Sequence, residues 1–263
     1  MRPGSNSGSG SAHSNSGSGS AEMGAPPAFH FRVPSEFHAV PLGLGDEADV
    51  FHAQVRQFAR DYWGEREDLE PLRRLTTAMY AANAQSLVEG GTVYNALGIF
   101  PIGGGADGSE SPEPPERVSR ATLTVSVREL DNPDPHFTAA GIAEVLDKGS
   151  QGGEVQLVSL PVGPAVVHIA GARAVWDLPE GEADGPGGEQ ERFFVRIELW
   201  VPFPGEDRLL LLCLSTADVQ DLFHYQAVLA DIADTITFGE AEAEAPAAAV
   251  TKEAAPPSPF GSY

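Results

Sequence analysis

The sequence predicts an α+β fold: one mainly antiparallel sheet covered by amphipathic helices. Three observations carry this. The stretch 191–216, ERFFVRIELWVPFPGEDRLLLLCLST, reads as a central β-hairpin; helix-period segments follow an early strand and end the chain; and the element order leaves too few βαβ crossovers for a parallel sheet.

In the hairpin, Phe193, Val195, Ile197, Leu199 and Val201 recur at period 2, so they form a dry face. Phe194, Arg196, Glu198 and Trp200 point the other way. Pro202, Pro204 and Gly205 then reverse the chain, because prolines donate nothing to a ladder and glycine accepts φ > 0. The returning run Leu209 to Leu214 is apolar throughout, which predicts burial on both faces.

Before the hairpin, FHFRVPSEFHAVPL is an extended entry with a turn near Pro34 and Ser35, flanked by His30 and His38. Phe51, Val55, Phe58 and Tyr62 lie on one face of a helix from about Asp46 to Trp63. A second helix follows, with Asp68 as N-cap, Leu72, Leu75, Met79 and Leu87 near one stripe, and Gly90-Gly91 as its end. This helical hairpin is expected to cover one sheet face. Val93 to Ile102 is a strand; Ala121, Leu123, Val125 and Val127 mark another that is dry on one side. Asp134-Pro135 caps and starts a short helix through Val145, closed by Gly149. Val155 to Leu160 and Ala165 to Ala170 form a hairpin around PVGP, Ala174 to Leu178 continues the sheet, and Ser215 or Thr216 caps a last helix over about 217–237.

Residues 1–28, rich in Gly, Ser and Asn, and 239–263, rich in Ala, Glu and Pro, are expected to be disordered, because neither has enough apolar surface to offset the entropy of ordering. The remaining 29–238 make one domain, large enough to bury about 70% of its unfolded surface.

A net charge of −22 repels phosphate backbones and anionic lipid, so neither nucleic acid nor a membrane surface is expected as partner. A basic protein partner fits better. The N-terminus shows no basic segment followed by an apolar one, no run of about 18 apolar residues occurs, and Cys213 is the single cysteine, sitting in an apolar strand. A cytoplasmic location is expected. Two lysines beside fourteen arginines, with abundant Ala, Gly and Pro, point to a GC-rich, actinobacterial-type coding sequence.

The opening FRVPSEF, the proline-bounded SLPVGPAVV, the hairpin WVPFPGEDRLLLLCLST and the closing DTITF together resemble the PsbP-like (Mog-type) fold, particularly its actinobacterial branch, over residues 29–238. The resemblance implies a protein that binds other proteins or acts as an accessory subunit, with no shared catalytic residue to carry over. Many bacterial relatives are exported lipoproteins; this sequence shows neither a signal peptide nor a lipid-acceptor cysteine.

Chemistry-bearing motifs are weak. Asp131-Asn132-Pro133-Asp134-Pro135-His136 groups two carboxylates and an imidazole, but the spacing matches no cation loop. Asp218, Asp221 and His224 lie three apart on a helix, as solvated residues also do. Gly103-Gly104-Gly105 lacks the lysine and capped helix of a phosphate loop. Cys213 on a buried strand is a poor nucleophile, and His168, between Val167 and Ile169, reads as a hydrogen-bonded sheet residue. No catalytic residue, metal or cofactor is expected. Two surfaces remain as partner sites. One comprises the acidic loops at 104–116 and 180–191, with Glu110, Glu113, Glu116, Glu182, Asp184 and Glu189. The other is the face of Phe194, Arg196 and Trp200, unless the helical hairpin packs over it. The leading reading is a non-catalytic binding or accessory protein acting through the loops; the rival is a small enzyme or small-molecule binder with a pocket between sheet and helices.

Overall fold

Strand periodicity decides the architecture, because each strand must present its apolar alternates to the same layer. The structure, a computed structural model, describes residues 29–44, 47–103, 116–149, 153–178 and 188–239. The expected disordered ends, 1–28 and the tail from 240, lie outside these residues, as does most of each acidic loop. Among the described residues no helix is long and apolar enough to cross a membrane.

The fold is α+β, as predicted. Strands β1 (Phe29–His30) and β2 (Phe37–Ala39) precede helices α1 (Ala48–Trp63) and α2 (Glu70–Glu89). Then come β3 (Thr92–Ile102), β4 (Arg117–Glu129), α3 (Pro135–Gly149), β5 (Glu154–Leu160), β6 (Gly163–Leu178), β7 (Gly188–Pro202), β8 (Arg208–Thr216), α4 (Leu222–Asp234) and β9 (Thr237–Phe238). Seven strands form one sheet in the order β2-β3-β4-β8-β7-β6-β5, each pair antiparallel. The short β1 pairs with β9, tying the two ends of the described chain together.

The first sheet face holds the main core. Leu123 and Val125 of β4, Ile197, Leu199 and Val201 of β7, and Leu210, Leu212 and Leu214 of β8 are buried against Tyr225, Leu229, Ile232 and Ile236 on and after α4. Each such side chain contributes about 1.5–3 kcal/mol by leaving water. Helices α1 and α2 serve a smaller cluster on the second face. There Phe58 and Tyr62 meet Val40 of the segment after β2 and Ile99 of β3, with Tyr80 of α2 at the margin. Helix α3 covers the same second face at the far edge, over β5, β6 and β7.

Several expectations need correction. Leu211 and Cys213 on the second face are only half-buried, because among the described residues no helix lies over the middle of that face as α4 does on the first. Phe193 belongs to the predicted dry face, yet it is 48% exposed. A Cβ built at Gly171 would approach its ring to 2.6 Å, so the ring lies over a glycine near the sheet's end rather than in the core. Leu72, Leu75 and Met79 of α2 are exposed, and Thr76 and Ala84 are buried instead. Small side chains let α2 sit close to its neighbours, and Thr76 accepts the Trp63 indole N–H at 2.8 Å. Asp68 caps nothing; it lies in a 3₁₀ turn (Glu67–Leu69) and pairs with Arg66 at 2.7 Å. Helix α4 starts only at Leu222, because the β8 ladder runs on to Thr216 and a 3₁₀ turn (Val219–Asp221) intervenes. Strand β6 is continuous across the two predicted pieces.

Candidate functional site

The site builds on β7, whose alternation places Phe194, Arg196, Glu198 and Trp200 on the second face. Register gives each its neighbours: Trp200 lies between Val166 and Leu211, Glu198 between His168 and Cys213, and Arg196 between Ala170 and Ser215. Helix α3 crosses this edge of the sheet. It therefore is α3, and not the α1–α2 hairpin, that covers the Trp200 end of the face.

Asp134 starts α3 as predicted. Its Oδ1 accepts the backbone N–H groups of His136 and Phe137 at 2.9 and 3.1 Å, and Asn132 Oδ1 accepts the Asp134 N–H at 2.8 Å. These bonds commit the side-chain oxygens Asn132 Oδ1 and Asp134 Oδ1 of the Asp131–His136 motif to capping. Among the described residues no group of three His, Cys, Asp or Glu is placed to hold a metal ion.

Between α3 and β7 lies a groove of about 310 Å³. Leu130, Phe137, Ile142, Val145, Leu146 and Trp200 give it apolar walls, and Asp131 is its one charged lining residue. Phe137 and Val145 are 67% and 70% exposed, forming an outer lip. Thr138 Oγ1 donates to Asn132 O at 3.2 Å. Trp200 is half-buried, and its Nε1 is a buried donor with no hydrogen-bond partner. A buried polar group left without its bond costs about 1–3 kcal/mol. Gly141 lines the groove from the interior of α3, where glycine costs about 1 kcal/mol against alanine. A Cβ there would meet nothing within 4 Å, so packing does not require the glycine.

Next to Trp200 sits a buried pair. His168 Nδ1 lies 2.8 Å from Glu198 Oε2, both residues under 10% exposed, and Arg196 Nη1 approaches Glu198 Oε1 at 3.6 Å from the solvent side. Cys213 lies across the ladder, its thiol pKa raised chiefly by burial, an effect opposed by its hydrogen bond with Ser215 and by Arg196. A thiol so placed is poor in thiolate at neutral pH. Labelling of Cys213 by a thiol reagent at pH 7 is expected to be slower in the native protein than after unfolding; equal rates would contradict its half-buried strand position.

Of the predicted partner residues, Arg196 is exposed, Phe194 and Trp200 are half-buried, and the face is joined to α3 at the Trp200 end only. Glu116 is exposed. Glu110, Glu113, Glu182 and Asp184 lie outside the described residues. Glu189 is not in a loop: β7 begins at Gly188 and pairs Glu189 with Asp177. The Asp218, Asp221 and His224 cluster is structural, and only His224 lies in α4, because Asp218 and Asp221 belong to the turn before it. Asp221 pairs with Arg117, which holds its carboxyl below the usual range, and Asp218 Oδ2 accepts the Arg120 N–H at 2.7 Å. His224 stacks edge-on to Phe100, with ring centroids 5.0 Å apart. Sequence reasoning missed Glu198 as the partner of His168, and it offered a pocket between sheet and helices without placing it at α3 and β7. Both residues were on visible alternations, but only the β6–β7 register sets them side by side.

No protein family, curated protein or solved structure compared with the chain matches it.

Proposed function

We propose that the protein is a non-catalytic binding protein that recognises its target in the groove between α3 and β7. The observation that carries this reading is the groove's apolar lining, left open to solvent at the Phe137 and Val145 lip. Apolar surface held open to water is a cost that a bound target removes, so binding gains more there than at a polar surface. The tightly hydrogen-bonded setting of His168 and Glu198 and the protonated thiol of Cys213 support recognition over chemistry. The resemblance to PsbP-like proteins, whose known members mostly act by binding, agrees with it. The net charge of −22 supports a second reading, in which the protein is cytoplasmic and a basic protein partner docks on the acidic segments around Glu116.

The test compares tagged wild type with Val145→Asp, which puts a charge on the exposed lip of the groove, each captured at native level, with both proteins and small molecules analysed by mass spectrometry. A component retained by wild type and lost by the variant is the expected result. Identical contents would reject the groove, and loss of a component only at high salt would favour the acidic segments.

A further inference from the structure

We infer that the outer edge of β5 is where two copies of this chain pair, antiparallel across a two-fold axis at Leu157, so that their sheets join into one. This contact uses neither the groove nor Trp200. Among the described residues β5 ends the seven-stranded order and pairs with β6 alone, so its other edge offers backbone groups to solvent. The hydrogen-bond phase of the sheet decides which groups these are. The Phe203 N–H donates to the Arg208 carbonyl at 2.9 Å, so along β7 the odd-numbered residues bond β8 and the even-numbered ones bond β6. Carried through the unbroken registers of β7 with β6 and of β6 with β5, this alternation turns the backbone groups of Glu154, Gln156, Val158 and Leu160 toward β6. Pro164 agrees, since it has no N–H to give and its partner Ser159 belongs to the other set. Val155, Leu157 and Ser159 therefore point their N–H and C=O groups out of the sheet.

The two ends of the sheet are treated differently. Strand β2 has three residues with Pro41 close behind it, whereas β5 has seven, without proline, lysine or bulge, and its one charge is Glu154 at the first position. Edges exposed to water are blunted by such devices, so an unblunted one is suited to pairing. A second copy fits it. The outward-bonding residues are symmetric about Leu157, the middle of β5, so an axis there overlaps all seven residues, and any other centre shortens the overlap. Side chains match in that register: Leu157, 59% exposed, meets the second copy's Leu157, Val155 meets its Ser159, and Gln156 meets its Val158. Glu154 falls opposite Leu160 and not opposite itself, so no like charges face each other although each chain carries −22. A basic partner strand would find only Glu154 to recognise.

The experiment uses the full chain in sedimentation velocity from about 1 μM to about 1 mM, the range in which so small an interface dissociates. Monomer should give way to dimer across it, and salt should strengthen the dimer, because two like-charged chains repel less when screened. Amide hydrogen exchange, read residue by residue, reports the site itself. The Val155, Leu157 and Ser159 N–H groups should be protected at the highest concentration and exchange freely at the lowest. Leu157→Lys sets like charges face to face at the axis, and Ser159→Pro removes an outward donor that the monomer does not use; each should weaken the dimer at least about tenfold. Neither should lower the melting temperature of dilute protein by more than about 2 °C, since both sites are exposed on an edge strand. A larger drop in Ser159→Pro would contradict the outward direction of its N–H, and the pairing with it. Monomer throughout the range, a dimer that survives both substitutions, one that forms while these amides still exchange, or one that loosens as salt rises would each overturn the inference.

Discussion

His168→Ala is expected to lower stability by about 3 kcal/mol, which in a domain of this size lowers the melting temperature by about 6–12 °C. The substitution removes the imidazole that bonds Glu198 Oε2 at 2.8 Å, and leaves the carboxylate 8% exposed with Arg196 at 3.6 Å. A buried acid stripped of its close partner bears its desolvation cost almost alone. The cavity left by the ring adds to the loss. The double replacement His168→Val with Glu198→Leu separates these terms, because it removes both polar groups and keeps the apolar volume. Its stability should lie much closer to wild type than that of the single variant, as replaced buried pairs commonly show. Denaturant unfolding of the three proteins checks this. A loss under about 1 kcal/mol in His168→Ala would mean that the pair is not what holds this part of β6 against β7.

The fold class was legible because period-2 and period-3.6 patterns are local. Val195, Ile197, Leu199 and Val201 lie on the core face as their alternation required, and Asp134 caps α3 as its position before Pro135 required. What failed depended on neighbours. The stripe of Leu72, Leu75 and Met79 has helical spacing, yet α2 approaches its neighbours through Thr76 and Ala84, since close contact between elements favours small side chains over large ones. Phe193 followed the right period and still emerged into solvent, because α4 does not reach that end of β7. Period tells which way a side chain points and nothing about how far the covering layer extends.

The site was less legible for the same reason carried further. Trp200 was singled out by its residue type and face, but the choice between covered and open could not be made without knowing where α3 lands. Sequence order suggested that the α1–α2 hairpin would cover it, whereas the antiparallel order of the sheet places β7 three strands from β3, on which that hairpin rests. The partial cover by α3 produces the groove, which Trp200 lines from the sheet side. His168 and Glu198 are 30 residues apart, and their meeting depends on one register between β6 and β7. A shift of one residue would turn one of them to the α4 face.

Gly90 and Gly91 show the same limit at single-residue scale, and they support an unequal pair of expected outcomes. The sequence presents them as one helix stop, and either could be the essential glycine. The backbone separates them. Gly90 closes α2 with φ −73°, a value any residue adopts, whereas Gly91 has φ +78°. A Cβ on Gly91 would stand 2.5 Å from the Val127 carbonyl oxygen, a backbone atom that cannot swing aside, and the Gly91 carbonyl accepts the Val127 N–H at 2.9 Å. Gly91→Ala should therefore cost about 1–2 kcal/mol for the left-handed conformation and about 1 kcal/mol more as β4 is pushed off this bond, roughly 3 kcal/mol together. Gly90→Ala places its methyl 3.2 Å from the Ser86 and Leu87 carbonyl oxygens, a contact that small shifts relieve, and should change stability by less than about 1 kcal/mol. Urea unfolding of the two variants beside wild type decides between them. Equal losses would show that the chain can leave α2 and enter β3 through a turn without a left-handed residue, so that the β3–β4 pairing at Thr92 and Ser126 is set by the ladder and not by the turn.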